Sequence, residues 1–256
     1  MLTVRSVQMK EFEDAALRRF EDEMVIHSQG FTPRLCEVLG EKQLRVALRQ
    51  AMSRAQTYGF TNRGPMRLYI ELMFLCGSDF DTDPQYPAIG EVLNASGDQM
   101  ERAEQICDGV IDYQEKVSGP EGVNVRKALK ALSVFAKKPD TVFSNDFDAE
   151  MLQEMTRAFP QKVDYTSKDR LMMLIEEGRA EAQKYDLLAG RAESMIVILM
   201  FAFGHGCTND PLYPWIGRTL KDERIKDQTA RAQRLEKKAV TWLDHVLARP
   251  MKGVQG

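Results

Sequence analysis

The chain lacks a long apolar run: the longest, Met195 to Phe203, is nine residues, about half of the roughly 20 needed to cross a bilayer. A membrane span is not expected, and a membrane partner is excluded with it. The first ten residues, Met1 to Lys10, lack the apolar centre of a secretory signal, so the expected location is cytoplasmic. Cysteine is sparse, with four scattered residues and no CxxC pair; reduced, structural thiols follow. Histidine is sparser still, and His27, His205 and His245 have no partner at metal-ligand spacing on one helical face, which argues against zinc. There is no charge excess to recruit nucleic acid, because 35 basic residues face 38 acidic ones for a net charge of -3.

Catalytic signatures are missing too. No P-loop, GxGxxG, GxSxG or HExxH occurs, and paired carboxylates such as Glu176-Glu177 lie on mixed-charge helix faces. Asp79, Asp81 and Asp83 have the DxDxD spacing of a calcium loop, but Pro84 stands where a glycine turn is required and Gly90 where a bidentate glutamate is required. His205 and Cys207 invite a nucleophile-base pair, yet a single intervening residue keeps such side chains apart. Neither a catalytic residue nor a metal or cofactor site is assigned.

What the chain does contain is a copy of part of itself. Shifted by 127 residues, the 36 positions from Ala55 to Gly90 give 13 identities without a gap, where chance gives about two. Asp83-Pro84-Gln85-Tyr86-Pro87-Ala88-Ile89-Gly90 reads against Asp210-Pro211-Leu212-Tyr213-Pro214-Trp215-Ile216-Gly217, six identities in eight positions. Beyond it the shift becomes 129: Asp98-Gln99 and Arg102-Ala103 face Asp227-Gln228 and Arg231-Ala232, and Tyr113 faces Trp242.

The repeated unit is helical. Leu44, Ala47, Leu48, Ala51, Met52 and Ala55 recur at 3.6-residue spacing, and Leu171, Leu174, Ile175, Gly178 and Ala182 repeat the stripe behind a Ser167 N-cap. The next segments, about 65–76 and 192–203, are apolar on every side, the mark of a helix in the middle of a bundle. Each stops at a glycine, Gly77 or Gly204, suited to a left-handed cap. A short helix follows each Tyr-Pro, then a long amphipathic one, lined by Met100, Ala103, Ile106, Cys107, Val110 and Ile111 in the first copy and by Ala232, Leu235, Ala239, Trp242 and Val246 in the second. Further helices are expected over about 7–27 and 125–137, the latter ending at Lys137-Lys138-Pro139-Asp140. No stretch alternates as a strand does. The expectation is an all-α protein: two tandem, diverged helical bundles, residues 1–128 and 129–256, packed as a pseudo-dimer in one globular body. Charge divides unevenly between the halves, net -5 in the first and +2 in the second. Residues 218–238 hold eight basic and four acidic side chains, a local positive strip without the aromatics that stack on bases.

At Met24-Val25-Ile26-His27, Leu39-Gly40, Tyr58-Gly59-Phe60-Thr61, Tyr69-Ile70-Glu71-Leu72-Met73-Phe74 and Gly77-Ser78-Asp79-Phe80-Asp81-Thr82-Asp83-Pro84 the chain resembles a family of bacterial helical proteins encoded beside PAAR, VgrG and toxin genes of type VI secretion systems. The likeness covers the first half directly and the second through the duplication. The family's usual Phe-Pro after the first helix reads here Phe31-Thr32-Pro33. The resemblance carries over no catalytic residue. It implies an accessory role, an adaptor or co-chaperone that holds a secreted effector, its loading factor or a toxin.

Three function classes are therefore weighed: a protein-binding adaptor or co-chaperone, an immunity protein that binds and neutralises a cognate toxin, and an unrecognised enzyme or nucleic-acid-binding protein. The first leads. The candidate contact surface is the polar loop from Asp79 to Tyr86, with its counterpart from Thr208 to Trp215. Asp79, Phe80, Asp81, Asp83 and Tyr86, and Asp210, Tyr213 and Trp215, combine carboxylates with aromatics in the mixture that anchors interfaces.

Overall fold

Proline and aspartate mark where many of the helices begin. Pro33, Pro87, Pro160 and Pro214 each open a helix, at the position where a missing N–H costs nothing. Asp98, Asp146 and Asp227 cap three others through their carboxylates, and Ser167 caps a fourth. The computed structural model describes residues 6–138, 146–187 and 190–248, all helices and connections, with no strand among the described residues. Pro139 and Asp140 lie outside them.

The order is α1 (Ser6–Phe31), α2 (Pro33–Thr57), α3 (Arg63–Cys76), α4 (Pro87–Asn94), α5 (Gln99–Tyr113), α6 (Val123–Lys137), α7 (Phe147–Ala158), α8 (Pro160–Tyr165), α9 (Lys168–Gln183), α10 (Gly190–Phe203), α11 (Pro214–Leu220) and α12 (Gln228–Leu247). Helix α5 runs into one π-helical turn, Gln114–Ser118, and a 3-10 turn, Pro120–Gly122, leads to α6. No helix among the described residues is long and apolar enough to cross a membrane.

The helices pack in two groups. Helices α1 to α5 contact one another around α3, and α6 to α12 do so around α10. Both sequence stripes are buried: Leu44 to Ala55 on α2 and Leu171 to Ala182 on α9. Helix α10 is buried nearly all round, from Ala192 to Phe203. Its one buried cation, Arg191, donates to Glu236 at 2.8 Å and to the Phe135 carbonyl at 2.7 Å, which satisfies a charge that would be costly alone.

Two expectations need correcting. The 128/129 boundary falls inside α6, and α6 packs on α12, α7 and α10; the first group therefore ends at the turns after α5. Helix α5 buries Arg102, Ala103 and Ile106, whereas Met100, Cys107 and Ile111 face solvent. An apolar stripe predicts burial only if something lies over its whole width, and at α5 the neighbours are α3, α4 and its own π turn.

Candidate functional site at the junction of the helical groups

The two loops singled out in the sequence meet each other. Gly77 ends α3 with φ 97° and Gly204 ends α10 with φ 98°, a backbone conformation open almost only to glycine. Each lies on the other's backbone: a Cβ on Gly77 would overlap the Phe203 carbonyl oxygen, and one on Gly204 would stand 2.6 Å from the Cys76 carbonyl oxygen.

From this contact a set of hydrogen bonds runs both ways. The Ser78 amide donates to Asp210 Oδ2 at 2.8 Å, and the amide of His205, which aligns with Ser78 in sequence, donates to Asp83 Oδ2 at 2.7 Å. Each aspartate also accepts from the amide two residues on, Gln85 for Asp83 at 2.8 Å and Leu212 for Asp210 at 2.7 Å. The Ser78 hydroxyl donates to Asp210 as well. The carboxylate of each Asp-Pro step thus collects amides from both loops. Burial pushes the Asp210 carboxyl up to about 6, against the hydrogen bonds from Ser78 and Leu212 that favour its ionised form.

The first loop has an ion-pair cluster that the second lacks. Arg54 of α2 pairs with Asp79 and Asp81, and Asp81 Oδ2 accepts from the Tyr58 hydroxyl at 2.8 Å and the Tyr69 hydroxyl at 3.0 Å. Burial works against the Arg54 cation, but Asp81 and Asp79 outweigh it and raise its pKa overall. Burial, reinforced by Asp81, pushes the Tyr58 phenol up to about 12. At the aligned positions around the second loop, Glu181 replaces Arg54 and Thr208 replaces Asp81, and Thr208 donates to Glu181 at 2.6 Å. Asp79 corresponds to Gly206, over which its carboxylate lies; a Cβ on Gly206 would collide with it. At this contact there is room for one side chain of the pair.

A lysine joins the cluster from α8. Lys162 is buried, donates to the Phe201 carbonyl at 2.7 Å and lies 5.2 Å over the Tyr86 ring and 5.0 Å over the Phe201 ring. Burial lowers its pKa to about 8, with Asp83 opposing.

These facts revise the contact-surface expectation. Asp81, Asp83 and Asp210 are buried, as are Phe80, Tyr86 and Tyr213. Trp215 and Asp79 are half-buried. Phe80 packs on Tyr69 at 4.7 Å, and Tyr86 and Tyr213 set their rings at 5.6 Å against Tyr113 and Trp242. The aromatics expected to face a partner instead fasten the loops to the helices beneath. The Asp79-Asp81-Asp83 string splits between an arginine and backbone amides, and no three His, Cys, Asp or Glu among the described residues are arranged to hold a metal ion. His205 directs Nδ1 to Glu177 at 3.1 Å and Nε2 to Thr82 at 3.1 Å and to the Asp79 carbonyl at 3.2 Å. Cys207 is buried and its thiol pushed well up by that burial, the reverse of an activated nucleophile. Asp244 pairs with Lys137, and His245 is exposed.

Arg54, Gln85 and Lys162 carry no mark in the sequence that singles them out. Arg54 lies 25 and 27 residues from its acidic partners, a separation at which nothing local marks a pair. No family model, curated protein or solved structure matches the chain.

Proposed function

We propose that the protein is a non-enzymatic protein-binding accessory factor, an adaptor or co-chaperone for a type VI secretion effector, built as a diverged duplication packed as a pseudo-dimer. The duplication is supported by bonds that recur at aligned positions of the two copies. Phe60 donates to the Ala55 carbonyl and Leu187 to the Ala182 carbonyl, both at 3.0 Å; Gly77 donates to Met73 and Gly204 to Met200, both at 3.0 Å. Farther along, where the second copy has gained its two residues, Arg102 binds the Tyr58 carbonyl at 2.8 Å and Arg231 the Tyr185 carbonyl at 2.9 Å. Reciprocal use of one surface is what a two-fold contact between like subunits requires.

The binding role rests on the resemblance and on one observation. The buried polar cluster of the junction is engaged with the chain's own groups, while outer helix faces present large apolar side chains to solvent: Ile26 is 72%, Phe12 68% and Val134 61% exposed. Such residues supply interface area when a partner covers them. The immunity reading draws on an acidic loop at Asp79 to Asp83, and that loop turns most of its carboxylates inward. The test uses the purified full chain as bait in extract of its own cells, with mass spectrometry of what is retained and calorimetry with each purified candidate. One stoichiometric protein partner is the expected result. Turnover of a substrate by the purified chain, with no partner retained, would overturn the proposal.

A further inference from the structure

We propose that the cleft between α7 and α9 receives an arginine-bearing segment of the partner protein; this rests on the protein-binding reading above. The cleft has a volume of about 430 Å³ and is lined by Asp148 of α7 and by Asp169, Met172, Met173, Glu176 and Arg179 of α9, within the size range of clefts that hold ligands. Three carboxylates thus face one cation, and that cation is taken: Arg179 donates to Glu193 at 3.0 Å and to Asp148 at 3.4 Å. Asp169 and Glu176 have no ion-pair partner among the described residues. Lys168 and Arg170, beside Asp169 on α9, lie outside the lining.

The first half of the chain supplies a template for the occupant. At the 127-residue shift, Phe20-Glu21-Asp22-Glu23-Met24 reads against Phe147-Asp148-Ala149-Glu150-Met151, three identities in five positions, and the end of α1 packs on α2 as α7 packs on α9. The lining residues align with Glu21, Lys42, Arg45, Val46, Arg49 and Met52, one carboxylate and three cations in place of three carboxylates and one cation. There the guanidiniums meet the acid. Arg49 donates to Glu21 at 2.8 and 3.0 Å, and Arg45 to Glu21 at 3.1 Å and to Asp22 at 2.7 Å. In the second half the acid is kept as Asp148, but Met172 and Glu176 stand where its two arginine partners would be. Asp148 and Asp169 lie in first turns, where a carboxylate is favoured; Glu176, in the middle of α9, has no such reason to be acidic. Arginines from outside would restore the pairing, and Met173, 46% exposed, with half-buried Met172, offers apolar contact to their methylene stems. A metal ion does not fit, because no three His, Cys, Asp or Glu among the described residues are arranged to hold one. The acidic lining repels a nucleic acid.

The test measures anisotropy of a fluorescein-labelled helical peptide of Ala and Leu with arginines four residues apart, as Arg45 and Arg49 are, beside its glutamate counterpart and with spermine as competitor. The proteins are the full chain, the M172R/E176R variant, which places the residues of α2 in α9, and E104K/D108N, which changes net charge equally at exposed positions of α5. Unchanged melting verifies each fold; if M172R/E176R unfolds, D169N/E176Q replaces it. The arginine peptide should bind, more weakly as salt rises, lose at least about tenfold in affinity for M172R/E176R, and bind E104K/D108N as it binds the parent. No binding, equal binding of the glutamate peptide, undiminished binding to M172R/E176R, an equal loss in E104K/D108N, displacement by spermine at the peptide's own concentration, or sedimentation showing that a second copy of the chain fills the cleft would each overturn the assignment. Used as bait, M172R/E176R separates the two proposals: a partner retained equally by the variant removes the cleft and leaves the binding role standing.

Discussion

Gly77 and Gly204 lie backbone to backbone, each in a conformation that only glycine adopts comfortably and each with the carbonyl oxygen preceding the other glycine in the space its own Cβ would need. The ends of the two central helices, α3 and α10, are therefore closer than any other residue pair would permit. Either Gly77→Ala or Gly204→Ala should destabilise by about 2–4 kcal/mol, combining a left-handed alanine with overlap against a carbonyl that cannot yield. Urea melts of both variants check this, and either variant melting like the parent would show that the contact is slack.

Asp210 makes the junction sensitive to pH. Its carboxyl titrates near 6 in the folded protein, above the ordinary value of about 3.9 for an unfolded chain. The folded state therefore holds the proton more tightly between those limits, and the associated stability is complete below about pH 4 and lost as pH rises through about 6. Relative to Asp210→Asn, the parent should lose on the order of 2 kcal/mol over that interval. Melts from acid to neutral pH should show the two stability curves diverging; parallel curves would contradict the assignment.

Lys162 has the opposite dependence. Its ammonium is disfavoured by burial and its pKa falls to about 8, so between that value and the ordinary one near 10.4 the unfolded chain binds more protons. Stability should climb as pH rises from 8 towards 10, and Lys162→Met should abolish that climb. A variant retaining the parent's alkaline slope would show that another group is responsible.

Met200 lies in the middle of α10 and is 2% exposed. Met200→Asp should cost roughly 3–5 kcal/mol, because a carboxylate there has to be desolvated unpaired or protonated. Calorimetric melting reads the loss directly.

The parts of this structure that can be read from sequence are those governed by periodicity. The stripes on α2, α9 and α12 and the all-round apolar α10 follow from 3.6-residue spacing, and the glycine-terminated central helices from residue type. Orientation within loops has no such period. Phe80, Tyr86 and Tyr213 look exposed in the sequence because their neighbours are polar, yet the chain folds those neighbours inward, where backbone amides and Arg54 satisfy them. Lys162 sits in Pro160-Gln161-Lys162-Val163-Asp164, which reads as a solvated turn of helix; only the approach of Tyr86 and Phe201 from distant segments buries it. The α6 boundary is hidden for a related reason: a constant shift between the two similar segments aligns their matching ends but says nothing of a linking helix that joins one group.

Amide hydrogen exchange at Ser78 and His205 tests the central claim most directly. Both amides lie in loops, where exchange is ordinarily fast, and each donates to a buried aspartate of the opposite loop. If the two loops weld the helical groups into one body, both amides should exchange as slowly as the core amides of α10, through global unfolding alone. Exchange of either at the rate of an exposed loop, with α10 still protected, would contradict a welded junction and return the loops to the surface.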